Sequence, residues 1–389
     1  MRIKKFLGII LLTIILNFNV ICFAQDEDPD AWDYTWLDEA LEESQNVKEP
    51  SILSRYAVIY DRASGRVLWG KEENVPVPMA STTKIMTSIV MLEQIGVESL
   101  NDEIIVDKEA ANTGGSRLGL HTGDKITYND LLYGLMLCSG NDAAVQIAIS
   151  TAGNVENFAK LMNDKAEQMG LENTNFITPH GLDREGHYTT ALELAKITDY
   201  ALENPKIAEI VATKQYTVTI NGYTKTISNT NELLGYLDGV NGVKTGYTSK
   251  AGRCLVTSAN RDGFEIITVV LGADTRKIRT QDSIKLIEYA YKEYKLADVK
   301  NLIKRPQIYT EEGKYETYPL KKDEILELEI ETKLKFEAPL PTNTEVGKIF
   351  IKVGDIVIDE IPIKTSETVQ KKTILNYFVE IMQIFKLVM

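Results

Sequence analysis

Three short apolar segments follow one another between residues 240 and 272, and their spacing leaves little choice of architecture. They run from Val240 to Gly246, from Arg253 to Ala259 and from Phe264 to Gly272. The connections, Thr248-Ser249-Lys250-Ala251-Gly252 and Asn260-Arg261-Asp262-Gly263, are too short for a crossover, so the strands are antiparallel neighbours. A helix with Ile284, Ile287 and Tyr291 on one face follows them. Far upstream, Tyr56–Tyr60 and Arg66–Gly70 flank the turn Asp61-Arg62-Ala63-Ser64-Gly65 and read as a hairpin. Between hairpin and meander the pattern is helical. One helix starts near Ser81 and stops at Gly96. A second runs from Asn129 to Cys138, breaks at Ser139-Gly140-Asn141 and restarts at Asp142. The stretch 155–200 is also helical, with a loop around Thr178 to Asp183. Together these predict an α/β domain in which one antiparallel sheet is covered by helices on both faces.

A chain of 389 residues is long enough for a second domain, and its pattern changes near Lys300. Leu326, Leu328 and Ile330 alternate with Glu327, Glu329 and Glu331. Further strands are expected at Lys333 to Phe336, Ile349 to Val353 and Ile356 to Ile363, so this unit is small and all-β. At the N-terminus Arg2, Lys4 and Lys5 precede an apolar run ending near Leu16, and Cys22-Phe23-Ala24 supplies the small residue that precedes signal cleavage. An uncleaved anchor is the alternative. Residues 25–50 hold ten acids against one lysine and read as a mobile acidic leader, unless Trp32, Tyr34 and Trp36 pin it to the body. At the other end Ile374, Phe378, Ile381, Met382, Phe385 and Val388 recur at helical spacing. That amphipathic stretch is too short and too charged to span a bilayer comfortably, but fits an interfacial helix or one packed on a protein surface. The expected organisation is therefore signal peptide 1–24, acidic leader 25–50, α/β domain 51–296, β-rich domain 297–366 and amphipathic membrane-anchoring helix 367–389.

Composition removes several function classes. The net charge of −13 gives no basic footprint for nucleic acid. Signal cleavage would leave only Cys138 and Cys254, which is no disulfide framework for an exported chain of this size. His121, His180 and His187 are scattered without ligand spacing, so neither a metal nor another cofactor is expected.

Three residue sets remain that carry chemistry. Ser81 and Lys84 lie one turn apart where Val75-Pro76-Val77-Pro78 gives way to a helix. A hydroxyl there can pass its proton to a neighbouring amine in the positive field of a helix end. Alone, the same pattern is also a helix cap followed by a solvated lysine. Ser139 and Asn141 project from the turn between two apolar helices, and Lys244-Thr245-Gly246 lies on the first meander strand. In this order and context the three sets resemble the signature of serine penicillin-binding proteins and β-lactamases, with Gly140-Asn141 where many β-lactamases carry Asp-Asn.

Within that superfamily the chain resembles the low-molecular-mass D-alanyl-D-alanine carboxypeptidases. The likeness rests on Ser81-Thr82-Thr83-Lys84, on Leu131-Leu132-Tyr133-Gly134-Leu135-Met136-Leu137 before Ser139-Gly140-Asn141-Asp142, on His180-Gly181-Leu182-Asp183 and on Val243-Lys244-Thr245-Gly246-Tyr247-Thr248. The signal, the β-rich domain and the tail agree with it. The resemblance implies a β-lactamase/transpeptidase-like domain with Ser81, Lys84 and Ser139 as catalytic residues. It implies substrate binding by Asn141, Lys244, Thr245 and Gly246, and an oxyanion hole from the backbone N–H groups of Ser81 and Tyr247. The implied partners are peptidoglycan stem peptides ending in D-Ala-D-Ala, β-lactams as inhibitors and the outer membrane surface. Cys138 departs from the expected proline or apolar residue, and reads as a buried small hydrophobe or a thiol whose modification blocks the site. His180 reads as a cleft residue or a structural one. Arg276 and Arg279 read as surface residues or as aids to carboxylate binding. A D,D-endopeptidase, a β-lactamase and a non-catalytic penicillin sensor or scaffold share the motifs. Residues 142–243 lack the Glu-x-x-Leu-Asn sequence of the glutamate-dependent β-lactamases.

Overall fold

The computed structural model describes residues 36–44, 49–299, 309–310, 313–332 and 337–371. The expected signal peptide, the strand expected at Lys333 to Phe336 and nearly all of the expected tail helix lie outside the described residues.

The stretch expected as a mobile leader contains a helix, α1 (Trp36–Ser44), with Trp36, Leu37 and Ala40 buried. Acidic composition favours solvation, but a narrow apolar stripe is enough to dock a two-turn helix when a complementary face is waiting. Strands β1 (Tyr56–Asp61) and β2 (Val67–Lys71) form the expected hairpin. A 3-10 turn, Ala80–Thr83, leads into α2 (Lys84–Ile95), which stops at Gly96 in a positive-φ conformation. Strand β3 (Glu103–Ile105), helix α3 (Lys108–Ala111) and strand β4 (Lys125–Thr127) make a small flap, with β3 and β4 paired antiparallel. Thr127 caps α4 (Tyr128–Met136) by accepting from the Asp130 N–H, and the turn at 137–140 delivers α5 (Asn141–Ala152).

The region 155–200 holds two helices, α6 (Val155–Gln168) and α7 (Ala191–Leu202), and the loop expected around Thr178 to Asp183 is part of a longer irregular clasp between them. Helix α8 (Pro205–Ala212) and the hairpin β5 (Gln215–Ile220) and β6 (Tyr223–Ser228) precede the meander. Strands β7 (Val240–Thr248), β8 (Gly252–Arg261) and β9 (Phe264–Ala273) extend slightly beyond their expected ends, and α9 (Arg276–Glu293) closes the domain.

The five strands form one sheet in the order β2-β1-β9-β8-β7, antiparallel at every pairing. Strand alternation divides its two faces between two cores. Val58 and Tyr60 of β1 join α2, α4, α5 and α7 in one, while Ala57 and Ile59 join α9 and α1 in the other. Because β7 is the edge strand, one of its sides is free to border a cleft.

The C-terminal unit is the expected all-β domain. Strand β10 (Tyr294–Asp298) leaves α9. It is followed by β11 (Tyr309–Thr310), β12 (Thr317–Lys321), β13 (Leu326–Thr332), β14 (Glu345–Val353) and β15 (Ile356–Lys364). β10 pairs with β12, and the other four form a sheet in the order β11-β15-β14-β13. Arg66 joins the two units: its guanidinium donates to Glu324 at 2.8 and 2.5 Å and to the Pro319 carbonyl at 2.6 Å. The Tyr294 and Tyr318 rings lie within 5.7 Å of it.

Candidate active site

Ser81 sits in the 3-10 turn that opens α2, and the backbone just before it is strained. Ala80 has φ +49°, a left-handed conformation that a residue with a Cβ adopts at a cost of about 1–3 kcal/mol. The surroundings over-determine the turn. Thr82 and Thr83 donate their hydroxyls to the Met79 and Ala80 carbonyls at 2.6 and 2.8 Å. Gly181, from the clasp, lies so close that a Cβ there would meet the Ala80 carbonyl oxygen at 1.9 Å. Gly246 of β7 lies against the same turn, and a Cβ on it would come within 3.0 Å of the Ser81 nitrogen. A glycine is needed at each place because backbone meets backbone.

Lys84 is fully buried, and its Nζ donates to Ser81 Oγ at 2.8 Å, to Asn141 Oδ1 at 2.7 Å and to the His180 carbonyl at 2.9 Å. Burial first, and the neighbouring Lys244 ammonium second, hold Lys84 well below the ordinary lysine value. In its neutral form the amine has two hydrogens, which suit the Asn141 and His180 oxygens, and a lone pair that can take a proton from the Ser81 hydroxyl. Burial likewise pushes Lys244 down to about 7. Ser139, the residue before Gly140 and α5, has φ +60° and is 4% exposed. Its hydroxyl has no hydrogen-bond partner among the described residues, so a buried donor and acceptor stands unspent two residues before Asn141, the partner of Lys84. Asn141 is fixed from both ends: its Nδ2 donates to the Gly114 carbonyl at 2.8 Å and its backbone N–H to the Ser116 carbonyl at 2.7 Å. Next along α5, the fully buried Asp142 accepts from the N–H groups of Leu118, Gly119 and Leu120 at 2.8–3.0 Å, which pins the loop holding Asn141.

The constellation has a buried lysine, held well below its ordinary pKa, against a helix-start serine, a second hydroxyl with an unspent proton and a second lysine on an edge strand. Residues 43–275 match the family described as D-alanyl-D-alanine carboxypeptidase, and residues 290–371 match the penicillin-binding protein 5 C-terminal domain. The chain belongs to the D-alanyl-D-alanine carboxypeptidase family. It is 31% identical over 388 residues to D-alanyl-D-alanine carboxypeptidase DacF of Bacillus subtilis, covering 95% of this chain and 96% of that one. It is 37% identical to DacC of Escherichia coli over 65% of each chain. Among solved structures, penicillin binding protein 5 from Haemophilus influenzae superposes with a TM-score of 0.70 at 28% identity, over 84% of this chain and all of that one. The DD-transpeptidase of Streptomyces K15 gives 0.59 at 35% identity, over 63% of this chain and all of that one.

In this carboxypeptidase-family chain the expected residues Ser81, Lys84 and Asn141 are joined by direct hydrogen bonds. Lys244 is buried within electrostatic reach of Lys84. Tyr247 is 46% exposed, with the Arg253 guanidinium 4.0 Å from its ring. His180 contributes its carbonyl, while its ring accepts from the Leu182 N–H at 3.1 Å. Cys138 is fully buried and donates to the Gly134 carbonyl at 3.2 Å, as a small hydrophobe does. The surface reading of Arg276 and Arg279 is overturned: both turn inward onto Glu232, and Arg279 is only 4% exposed.

The sequence reading passed over His187. Its Nδ1 accepts from the Ile177 N–H at 2.9 Å, so the neutral ring donates from Nε2 to Thr83 Oγ1 at 2.8 Å, one residue from Lys84. Burial pushes its pKa down to about 4, which keeps that tautomer at neutral pH. In the sequence Asp183 is marked only by the run His180-Gly181-Leu182-Asp183. It accepts from Thr248 Oγ1 at 2.7 Å and ties the clasp to the end of β7. Both partners lie far away in sequence, so no local pattern signals them.

Proposed function

We propose that this chain is a serine D-Ala-D-Ala carboxypeptidase that removes the terminal D-alanine from peptidoglycan stem peptides through an acyl-enzyme on Ser81. The observation that carries the reading is the 2.8 Å contact between Ser81 Oγ and the buried Lys84 amine. Ser81 Oγ attacks the carbonyl of the penultimate D-alanine as Lys84 takes its proton. The N–H groups of Ser81 and Tyr247 receive the developing oxyanion. The proton held by Lys84 is relayed through the Ser139 hydroxyl to the departing amine, so D-alanine leaves and Lys84 is neutral again. Asn141 holds Lys84 and the substrate amide, while Lys244 and Thr245 take the terminal carboxylate. A water, with its proton drawn to Lys84, then cleaves the ester. β-Lactams, which present a strained amide and a carboxylate in the same relation, acylate Ser81 and stay.

The decisive assay is release of D-alanine from a peptide ending in D-Ala-D-Ala by residues 25–389. Release by the native protein and its loss in Ser81→Ala support the reading. Acylation by labelled penicillin without D-alanine release sinks the carboxypeptidase claim, and an active Ser81→Ala sinks the mechanism. An amine acceptor added to the same assay tests the second reading, transpeptidation, which the Streptomyces K15 similarity motivates.

The chain also carries features of an exported, membrane-held enzyme. No helix among the described residues is long and apolar enough to cross a membrane. The N-terminal segment supports export by a cleaved signal, and the apolar face of 367–389 supports peripheral attachment at the outer surface. Deleting 367–389 then releases the protein from the membrane fraction, and unchanged fractionation contradicts the tail's role.

A further inference from the structure

The carboxylate end of the site holds a second hydroxyl that none of the three motifs contains. Thr230 Oγ1 lies 2.6 Å from Thr245 Oγ1. Only one proton can occupy that short bond, so the hydroxyl that accepts keeps its own proton free to point elsewhere. Thr245 is 8% exposed, whereas Thr230 is only partly buried and so stands on the open side of the pair.

Residue 230 is fixed by backbone and by both neighbours. Its N–H donates to the Leu137 carbonyl at 3.2 Å, two residues before Ser139. Its neighbour Asn229 donates from Nδ2 to the Val211 and Thr213 carbonyls at 3.2 and 3.1 Å. On its other side Asn231 donates to the Gly242 carbonyl at 2.8 Å, on β7 itself. Glu232, one residue further, is clamped by Arg279 and Thr280 and reached by Arg276 at 3.4 Å. Against burial, which raises it, the two guanidiniums hold the Glu232 carboxyl below its ordinary value. The segment 229–232 is thus a rigid polar wall bonded to β7, α8 and α9, with Thr230 at its centre.

Resting on the functional reading above, we propose that Thr230 is a positioning residue that makes the site select substrates with a free terminal carboxylate. With the anion bound, Thr245 O–H donates to a carboxylate oxygen and Thr230 O–H donates to Thr245 Oγ1. Both protons then point along one line toward the negative charge, and each bond polarises the next. A neutral amide terminus gains far less from that alignment. Without the Thr230 hydroxyl, Thr245 remains a donor but loses the group that orients and strengthens it.

The test compares wild type, Thr230→Val and Thr230→Ser on two N-acylated peptides, one ending in D-Ala-D-Ala and one in its C-terminal amide. Valine keeps the shape and removes the hydroxyl, while serine keeps the hydroxyl. Thr230→Val is expected to lose roughly tenfold in kcat/KM on the acid, mainly through KM, and to change under about twofold on the amide. Thr230→Ser is expected to return most of the loss. The proposal fails if valine leaves the acid substrate unaffected, if both substrates lose equally, or if serine does not rescue. Benzylpenicillin and its methyl ester, compared by their rates of acylating Ser81, provide an arm independent of D-alanine release. A wild type that frees no D-alanine defeats the functional reading, and this penicillin comparison then decides the hydroxyl pair alone.

Discussion

The catalytic cleft and the C-terminal sheet both contain lysines and carboxylates, and they treat them in opposite ways. In the cleft Lys84, Lys244, Asp142 and Arg279 are all under 5% exposed, and the acids and amides around them have fixed partners. In the C-terminal sheet Lys348 pairs with Glu360 and Lys352 with Glu329 across strands, with side chains from 27% to 59% exposed. Burying an ion removes its hydration, so a buried charge persists only where hydrogen bonds replace that water or where its proton is given up. Asp142 is met by three backbone N–H groups, and Lys84 is held well below the ordinary lysine value. The exposed pairs remain hydrated, are screened by salt and hold little energy. Position in the fold, rather than residue type, decides whether a lysine is a base or a surface charge.

Three measurements sharpen or break this contrast. The largest effect on stability is expected for Asp142→Ala, which leaves the N–H groups of Leu118, Gly119 and Leu120 without their acceptor. A loss of about 3 kcal/mol in urea unfolding at unchanged slope is expected, and a loss below about 1 kcal/mol contradicts the view of Asp142 as the loop's anchor.

Next comes a shift in pH dependence. The Lys244 charge disfavours the protonated form of Lys84 and so lowers its pKa. In the proposed mechanism acylation needs neutral Lys84, so its rate is expected to fall on the acid side as Lys84 gains a proton. Removing the Lys244 charge raises the Lys84 pKa, and Lys244→Met should move that acid limb to higher pH as well as weakening binding. An acid limb that stays in place or moves down, read from penicillin acylation, refutes the coupling.

The smallest effect belongs to the exposed sheet. Lys352→Ala is expected to change unfolding free energy by less than about 1 kcal/mol, and by less still at high salt. A loss as large as that of Asp142→Ala would erase the distinction between the regions.

Much of this was legible in the chain. The meander at 240–272 follows from two connections too short to cross over, and the hairpin at 56–70 from its turn residues. Ser81 and Lys84 were visible because a helix turn sets their spacing, and Lys244 because its strand lies inside the meander. Main-chain groups were not legible. The carbonyls of His180 and Gly114 position Lys84 and Asn141, but a carbonyl carries no residue signature. His187 was equally hidden, since it meets Thr83 from 104 positions away. The leader reads as solvated because residues 25–50 carry ten acids against one lysine, yet Trp36, one of the aromatic residues that could pin it, is buried with Leu37 and Ala40 in helix α1.

The sequence by itself determined the order of strands and helices, the division into two domains and the three chemical motifs. Each is written in local periodicity, turn chemistry or short spacing. The tertiary structure alone decided that Lys84 is stripped of water and beside a second cation, and that Ser139 keeps an unspent hydroxyl. It also decided that Arg279 faces inward and that Thr230 stands against Thr245. Those properties depend on dielectric surroundings and on contacts between distant segments. Folding creates both, and no stretch of the chain contains either one.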